Sequence, residues 1–322
     1  MHVLTSLGMS AEQIDVSTIN ALENNYWTPR GETFDFATND DNASALDVLQ
    51  KITNAGMSYF LLSEGLASVG REGVKNWTGI ISSQETTEPL QVAFSAPSRD
   101  DFDGVDVTYV NGTSWTEETV QCRTPDNSTP TKVENYELSG VISEDRAYRI
   151  GMRRLMKYRQ QRLTFSTSTE MDALCYNYGD RLVLTDDIPG SKTISCLITG
   201  VSVMSGKVII SVSEPLDWRF THPRCLIRLQ DGSATTLLTP LPIDDYTLSL
   251  PASSGISPDE WIMGDPSIEL PRLIFCSSER VGYDAIIADI SPASDGTCEV
   301  TAKEYRSTFY DHDDAHYPGD VA

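Results

Sequence analysis

A cluster of seven positive charges within 17 residues constrains this chain more than any other feature of its sequence. The cluster consists of Arg146, Arg149, Arg153, Arg154, Lys157, Arg159 and Arg162. The flanking sequence has the opposite sign, with a net charge of −16 over residues 1–145 and −14 over residues 163–322, and the whole chain carries −23. A segment this basic in a chain this acidic predicts a contact with carboxylates or another negatively charged partner.

The spacing of side chains across this basic cluster predicts an α-helix. One helical face would carry Tyr148, Met152, Leu155, Met156 and Arg159, which recur at i, i+4, i+7, i+8 and i+11. Ser143 is suited to the N-cap, and Glu144 and Asp145 suit the positive end of the helix dipole. We therefore expect one face to pack and the other to present the arginines, directly before a β-rich region.

From Leu163 onwards the sequence is typical of all-β structure. Short strands alternate with the turn pairs Gly179-Asp180, Pro189-Gly190, Ser205-Gly206, Asp231-Gly232 and Asp295-Gly296. The best-defined strands are Lys207–Val212, Cys225–Leu229, Leu273–Ser277 and Asp284–Ile290. This pattern predicts a β-barrel or a β-sandwich.

The first 123 residues predict a mixed α/β module. A helix follows Asp41-Asn42, with Leu46, Leu49, Ile52 and Thr53 on its packed side and Gly56 at its end. Two hairpins follow, one over residues 58–62 and 66–70, the other over residues 105–109 and 116–122. Residues 124–132 are polar and contain two prolines, which predicts a linker.

The predicted fold class is therefore α+β and β-rich, with three parts along the chain. Residues 1–123 form the α/β module, residues 124–162 the linker and arginine-rich helix, and residues 163–322 the barrel or sandwich region with an acidic C-terminal tail. A chain of 322 residues is long enough for more than one hydrophobic core.

Composition excludes several classes of protein. No run of about 18 apolar residues is present, so we expect no stable membrane insertion. The first residues have neither the basic patch nor the apolar core of a signal peptide, and export by that route is not expected. A net charge of −23 repels nucleic acid, and the six cysteines lack the spacing of a zinc site, which predicts reduced thiols.

Three stretches, in order, resemble the central region of the tail-tip hub, or host-specificity protein, of lambda-like long-tailed phages. They are HVLTSLGMSAEQIDVSTI, then FDFATNDDNASALDVLQKITNAGMSYFLLSEGLASVGRE, and then Arg146–Asp187, in which the arginine-rich helix leads into LTFSTSTEMDALCYNYGDRLVLTDD. Together they cover about residues 3–190. The segment that usually precedes this region and the fibronectin-like and receptor-binding parts that usually follow are absent, which is expected of a fragment or of a hub divided among chains.

The resemblance implies a structural protein of the virion tail tip, assembled in the host cytoplasm, and no enzymatic activity or cofactor. It implies a homotrimeric baseplate hub that closes the tail tube and organises host attachment. The implied partners are further copies of itself, the distal tail protein, other tail-tip proteins and the tape-measure protein. Contact with a host receptor would fall to missing segments or separate chains. An acidic lumen would repel passing DNA, a hypothesis that a neutral or basic bore would contradict.

The sequence alone allows three interpretations of the basic cluster. A nucleic-acid contact would have to overcome the repulsion of the surrounding acidic chain. Alternatively, the cations pair with carboxylates of the same chain, or they form a salt-bridge seam between subunits, a role for which the planar guanidinium group is well suited. The seven cations are accordingly predicted as inter-domain or subunit contacts.

Other candidate sites have weaker support in the sequence. His312 and His316 in the acidic tail could hold a hydrated cation, although a mobile tail is the simpler interpretation. Asp35, Asp40 and Asp41 could suggest calcium, although helix capping explains them, and the loop lacks the EF-hand register. Neither the pair Glu85 and Glu88 nor the pair Asp244 and Asp245 has the spacing of facing glycosidase carboxylates on a strand.

The sequence also lacks the motifs of nucleophilic and phosphate-binding sites. Cys225 and His222 are close along the chain but belong to no recognisable nucleophile motif. Gly206-Lys207 lacks the remaining residues of a phosphate-binding loop. We therefore predict neither a catalytic residue nor a metal or cofactor ligand.

The alternative function is a receptor-binding or carbohydrate-binding module similar to an adhesin. Exposed aromatic residues at Trp77, Trp115 and Trp218 could stack on sugars, whereas the simpler interpretation of each is an anchor in a core or an interface. Glycan binding that is lost on mutating one of these tryptophans would favour the alternative.

Overall fold

A computed structural model of the chain describes residues 2–37, 44–63, 65–186, 193–278 and 281–320, with the side chain of Ser63 outside the description. The described chain forms two compact units. Unit 1 comprises Met1–Val74, Ser95–Arg162 and Arg306–Ala322, and unit 2 comprises Lys75–Phe94 and Leu163–Tyr305. Both units are therefore assembled from segments that are distant in sequence.

The α-helices in the described ranges are α1 (His2–Ser6), α2 (Val16–Leu22), α3 (Ala45–Ala55) and α4 (Glu144–Gln160). The strands there are β1 (Ser58–Ser63), β2 (Leu66–Arg71), β3 (Gly79–Ile81), β4 (Gln91–Phe94), β5 (Gly104–Val110), β6 (Glu117–Cys122), β7 (Val133–Glu137), β8 (Leu163–Glu170), β9 (Arg181–Leu184), β10 (Thr193–Met204), β11 (Lys207–Val212), β12 (Pro223–Arg228), β13 (Leu241–Asp244), β14 (Thr247–Pro251), β15 (Arg272–Ser277), β16 (Tyr283–Pro292) and β17 (Thr297–Glu304).

Unit 1 contains all four of these helices and two small sheets. β1 and β2 pair as an antiparallel hairpin, and β5 pairs antiparallel with β6 and parallel with β7. Ser44 caps α3 through a reciprocal capping box with Asp47, which satisfies donors at the helix start. This capping interaction fixes the residue at which α3 begins.

The core of unit 1 lies where α4 packs on β5 and β6. Val105 and Val107 alternate inward along β5, and Met152 and Leu155 of α4 are fully buried. Gly151 allows this close approach, since a Cβ atom there would lie 2.4 Å from the Sγ of Cys122 and 2.5 Å from the Cγ2 of Val107. The helix is therefore held against the sheet at a distance that only glycine permits.

Unit 2 consists of two six-stranded sheets that curl into half-barrels. One has the strand order β12-β15-β10-β11-β14-β13, and the other has the order β3-β9-β16-β17-β8-β4. β3 and β4 form the two edges of the second sheet and come from residues 75–94, the only part of unit 2 that precedes α4 in the described chain. This early segment is therefore an integral part of the β-rich unit.

Side chains from both sheets of unit 2 meet in one buried cluster. It contains Ile80 of β3, Val183 of β9, Leu226 of β12 and Ile274 of β15, each at most 1% exposed. Removal of this apolar surface from water is the dominant stabilising contribution between the two sheets.

The α+β, β-rich fold class predicted from the sequence is confirmed, as are both early hairpins and the strands at β11, β12, β15 and β16. β3, β4 and β7 were missed because runs of three to five residues carry no clear periodic signal. β7 begins directly after the predicted linker, and Thr124 and Lys132 at the ends of that linker are tied to Asn127 and Asp103.

Several local predictions differ from the structure. Leu46, assigned to the packed side of α3, is 53% exposed. Ser143 occupies the N-cap of α4 but makes no capping hydrogen bond through its side chain. The turn predicted at Pro189-Gly190 lies outside the described residues. The predicted division at residues 123 and 162 follows the sequence, whereas the compact units combine segments from both sides of these boundaries.

Candidate functional site

The candidate site is the surface of α4 that carries the seven cations, together with the segments of unit 1 that contact it. The four uncharged members of the predicted stripe, Tyr148, Met152, Leu155 and Met156, are buried as expected, whereas Arg159 keeps 32% of its side chain exposed. Burial also extends further around the helix than the stripe predicts. Arg146 is 6% exposed and Arg153 is 4% exposed. Burying a guanidinium group costs free energy unless the group is paired and hydrogen-bonded. The partners of Arg146 and Arg153 therefore determine whether these two residues stabilise the fold.

Arg153 forms a buried, two-pronged ion pair with Asp313. Its Nε and Nη2 atoms donate to the two carboxylate oxygens of Asp313, each over 2.5 Å, and its Nη1 atom donates to the carbonyl of Glu72 over 2.7 Å. The side chains of the pair are 5% and 10% exposed. This parallel geometry matches the guanidinium fork and fixes the orientation of both side chains.

Four further cations of the cluster pair with carboxylates of unit 1. Arg154 donates two hydrogen bonds of 2.7 Å to Glu134, Arg162 donates to Asp101 over 2.6 Å, Lys157 pairs with Glu72, and Arg159 donates to both oxygens of Asp126. Glu134 lies on β7, Asp126 and Asp101 lie in the loops before β7 and before β5, and Glu72 directly follows β2. The helix therefore connects parts of unit 1 that are far apart in sequence.

The remaining two cations bind backbone carbonyls. Arg146 donates to the carbonyl oxygens of Thr33 and Ala55, each over 2.5 Å, and Arg149 donates to that of Ala315 over 2.8 Å. Ala55 is the last residue of α3, so Arg146 satisfies an unpaired carbonyl at a helix end where positive charge is favourable. Each of the seven predicted cations thus has a partner inside unit 1.

Residues 307–320, named here the C-terminal segment, lie along the helix rather than forming a free tail. Asp314 pairs with Arg30 over 3.0 Å, and the Nδ1 of His316 lies 2.7 Å from the carboxylate of Asp145. The backbone N–H of Tyr317 donates to the same carboxylate over 2.8 Å. The prediction of a mobile tail is therefore wrong, because the carboxylates of this segment pair with cations and its aromatic residues pack against other side chains.

The ion pairs also shift the proton affinities of the carboxylates. Hydrogen bonds from Arg159, Arg162 and Arg154 hold the pKa values of Asp126, Asp101 and Glu134, respectively, below their usual range. Conversely, the hydrogen bond to Glu134 raises the pKa of Arg154. All these groups stay ionised at neutral pH, as a permanent set of salt bridges requires.

Glu32 is the exception among the acidic residues near α4. Both of its carboxylate oxygens are buried without a hydrogen-bond partner in the described part of the chain. Burial raises its pKa, against the opposing attraction of Arg146 and Arg30. The charged form of Glu32 is therefore destabilised by folding.

We expect Glu32→Gln to raise the free energy of unfolding at pH 7 by a few tenths to about 1 kcal/mol, a modest gain because the attraction of Arg146 and Arg30 already offsets part of the cost of burying the charge. A raised pKa in the folded state means that the stability contributed by protonation is present at low pH and lost as the pH rises through that pKa. The gain should therefore shrink as the pH falls toward 4. Urea unfolding of both proteins at several pH values measures it, and a gain that grows on acidification would contradict the assignment.

The other candidate residues do not come together as a metal-binding or catalytic site in the described part of the chain. Within the described ranges, no group of three or more His, Cys, Asp or Glu side chains could hold a metal ion, and no helix is long and apolar enough to cross a membrane. Asp35 accepts a hydrogen bond from Thr33, while Asp40 and Asp41 lie outside the described residues. The Nδ1 atom of His312 is buried and has no hydrogen-bond partner among the described residues.

The structure also shows the surroundings of the carboxylates considered as glycosidase residues. Glu85 is enclosed by Arg228 and Arg272, at 3.2 and 3.4 Å, and burial raises its pKa. Glu88 lines an open polar groove, and Asp244 lies at the end of the exposed strand β13. Cys225 is fully buried, and burial raises the pKa of its thiol, which makes it a poor nucleophile.

The three tryptophans considered for sugar stacking differ in their contacts and in their exposure to solvent. The indole N–H of Trp77 donates to Asp284, with Arg181 over its ring, and that of Trp218 donates to the carbonyl of Asp244 while its ring packs edge-on against Phe275. Trp115 alone among the three is exposed, at 70%. The first two are structural anchors.

Two features of the site were not found from the sequence. The helical period could not reveal that Arg146 and Arg153 are buried, because their partners lie between 81 and 160 residues away along the chain. The docking of the C-terminal segment had a usable signal, since Phe309, Tyr310 and Tyr317 are unusual in a mobile acidic tail.

No protein-family model matches this chain, and no curated protein matches it. Among solved structures, it is similar to a chain of the virion of a native gene transfer agent particle, with 13% identity and a TM-score of 0.47 over 88% of this chain and 43% of that chain. It is also similar to the tail protein from Neisseria meningitidis MC58, with 13% identity and a TM-score of 0.34 over 70% of this chain and 60% of that chain.

A third similar structure is the 43 kDa tail protein of prophage MuSo2 from Shewanella oneidensis. The identity is 11% and the TM-score 0.31, over 74% of this chain and 64% of that chain. The present chain therefore spans less than two thirds of the length of each of these three proteins.

Proposed function

We propose that this chain is a structural component of a phage or phage-like tail, located at the tail tip as part of the baseplate hub. The observation that carries the proposal is the order of elements over about residues 3–190. The sequence there resembles the hub family, and the third of the three resembling stretches folds as α4, then β8, then a turn at Gly179-Asp180 with Gly179 at a positive φ. The role is geometric: the chain closes the tail tube and organises attachment to the host.

The proposed assembly is a homotrimer that contacts the distal tail protein and the tape-measure protein. Unit 2 supports this role because a pair of half-barrel sheets suits a ring-shaped wall. In such a ring the net charge of −23 disfavours DNA binding and suits a conduit.

The proposed subunit contact uses the more exposed cations of α4. Arg154, Lys157 and Arg159 keep 38%, 33% and 32% of their side-chain surface exposed, whereas Arg146 and Arg153 are buried within unit 1. An arginine already held in a planar pair can accept a second carboxylate at a low further entropic cost. We therefore assign bracing of unit 1 to the buried cations and contact with a neighbouring subunit to the exposed ones.

The test is the mass of the protein in solution at low and high salt, by sedimentation or light scattering. We expect a trimer that loosens as salt screens the exposed ion pairs. Arg159→Glu should weaken the trimer with little change in melting temperature. Arg219→Glu is the matched control, because Arg219 is 90% exposed and contacts Asp217, two residues away, and it should leave the trimer unchanged.

A monomer at high concentration in both salt conditions would contradict the self-assembling hub. A trimer that is insensitive to salt and to Arg159→Glu would retain the hub but overturn the arginine seam. These outcomes separate the general proposal from its assigned residues.

A further inference from the structure

Trp115 occupies a position where the fold gains nothing from a tryptophan. Its side chain is 70% exposed at the tip of the β5–β6 hairpin, and its backbone φ is +54°. This left-handed conformation is unfavourable for a bulky residue and favours glycine or asparagine. The sequence thus places a large apolar ring at a position where the backbone conformation favours a small residue.

The turn that carries Trp115 is tightly organised. The backbone N–H of Trp115 donates to the carbonyl of Asn111 over 2.8 Å, and the side-chain amide of Asn111 donates to Glu118 over 2.7 Å. The hydroxyl of Ser114 donates to the other oxygen of Glu118 over 2.8 Å. The ring is therefore presented from a rigid frame, which lowers the entropy lost on binding a ligand.

Charge narrows the class of ligand. Residues 104–122 contain Asp106, Glu117 and Glu118 and no lysine or arginine. Nucleic acids, anionic lipid surfaces and acidic sugars would be repelled by this hairpin. The ligand must therefore be neutral or positively charged.

The shape and chemistry of the tip favour a sugar over a protein. A single ring beside polar side chains offers too little apolar area for a stable protein interface, which buries about 800 Å² on each partner. A sugar with equatorial hydroxyls has a flat C–H face that covers an indole, and its hydroxyl rim can donate to the remaining acceptor positions of Glu118 and bond to Ser114 and Thr116. The exposed aromatic face and the adjacent polar rim thus match the two surfaces of one such sugar ring.

We propose that Trp115 and the polar side chains beside it form a binding site for a neutral sugar of the glucose type, whose hydroxyls are equatorial. This activity goes beyond the proposed structural role and does not depend on it. A site of one stacked ring binds weakly, with a Kd on the order of 1 mM, and copies of the site in one assembly would raise the overall avidity.

The test is a titration of the full chain with triacetylchitotriose and cellotriose, followed by NMR of the tryptophan indole N–H groups. The Trp115 resonance, identified by its absence in Trp115→Gly, should shift and saturate. Trp115→Gly should bind at least about tenfold more weakly and melt no lower than the parent, because glycine suits this φ. Trp115→Phe should retain part of the affinity.

Tyr246→Ala is the matched control, since Tyr246 is 51% exposed in the β13–β14 turn without a positive φ. It should leave sugar binding unchanged. The proposal is overturned by the absence of a saturable shift up to about 20 times the expected Kd, by equal binding in Trp115→Gly, or by preference for an acidic sugar such as sialyllactose. It is also overturned if sugars fail to bind and Trp115→Gly instead weakens self-association, which would assign the ring to a protein contact.

Discussion

Asp313→Ala is expected to lower the free energy of unfolding by about 3–5 kcal/mol, the usual cost of removing one partner from a buried ion pair. The guanidinium of Arg153 is nearly inaccessible to water, and the substitution removes two of the three hydrogen-bond acceptors that the described residues give it, leaving the carbonyl of Glu72. Urea denaturation followed by tryptophan fluorescence, with hydrogen exchange of α4 as a local probe of unit 1, measures the loss.

The adjacent residue provides the matched control. Asp314 lies on the same segment and pairs with Arg30, but its side chain is 77% exposed, so Asp314→Ala should cost no more than about 1 kcal/mol. Replacing the buried pair with Arg153→Met and Asp313→Leu together should recover a large part of the loss, because no unpaired charge remains. Similar costs for Asp313→Ala and Asp314→Ala would contradict the buried pair.

Gly151→Ala is expected to destabilise the protein by about 1–3 kcal/mol, although alanine is the better helix former. Helix propensity alone would favour alanine by about 1 kcal/mol. Here the new methyl group would lie 2.4 Å from the Sγ of Cys122 and 2.5 Å from the Cγ2 of Val107, so the helix must move away from β5 and β6. Helix propensity predicts that Gly151→Ala stabilises the protein, whereas steric overlap predicts that it destabilises the protein. The change in melting temperature therefore distinguishes the two effects.

A second substitution tests the assigned cause. Val107→Ala removes the Cγ2 atom that meets the new methyl group, so the cost of Gly151→Ala should be smaller in the Val107→Ala background than in the parent. If the costs of the two substitutions simply add, the strain caused by the new methyl group does not come from its contact with Val107. A Gly151→Ala protein more stable than the parent would show that α4 does not approach the sheet as closely as described.

Local signals in the sequence predicted part of this fold well. The apolar spacing of α4 and the alternation along β5 and β6 each reflect a single buried face, which a short window of sequence records. The strand turns at Ser205-Gly206 and Asp295-Gly296 were also readable, because the glycine in each has a positive φ.

The remaining features depend on contacts that no short window contains. β3 pairs in parallel with β9, about 100 residues later, and its three residues have no period of their own. The burial of Arg153 depends on Asp313, 160 residues away. The sequence predicted the charge of the candidate site and the carboxylate partners of five of its seven cations, but not the backbone carbonyls that bind Arg146 and Arg149. Which group pairs with each cation depends on the tertiary structure.

The 160 residues between Arg153 and Asp313 also set the order of events during synthesis. At about 5–20 residues per second, a ribosome needs roughly 10–30 s to produce the carboxylate after the arginine. During that interval most of unit 2 is made, while the helix of unit 1 still lacks the partner for its most buried charge. Synthesis of unit 1 therefore begins before that of unit 2 and ends after it. A nascent chain that stops before Asp313 has a guanidinium at Arg153 without its carboxylate partner.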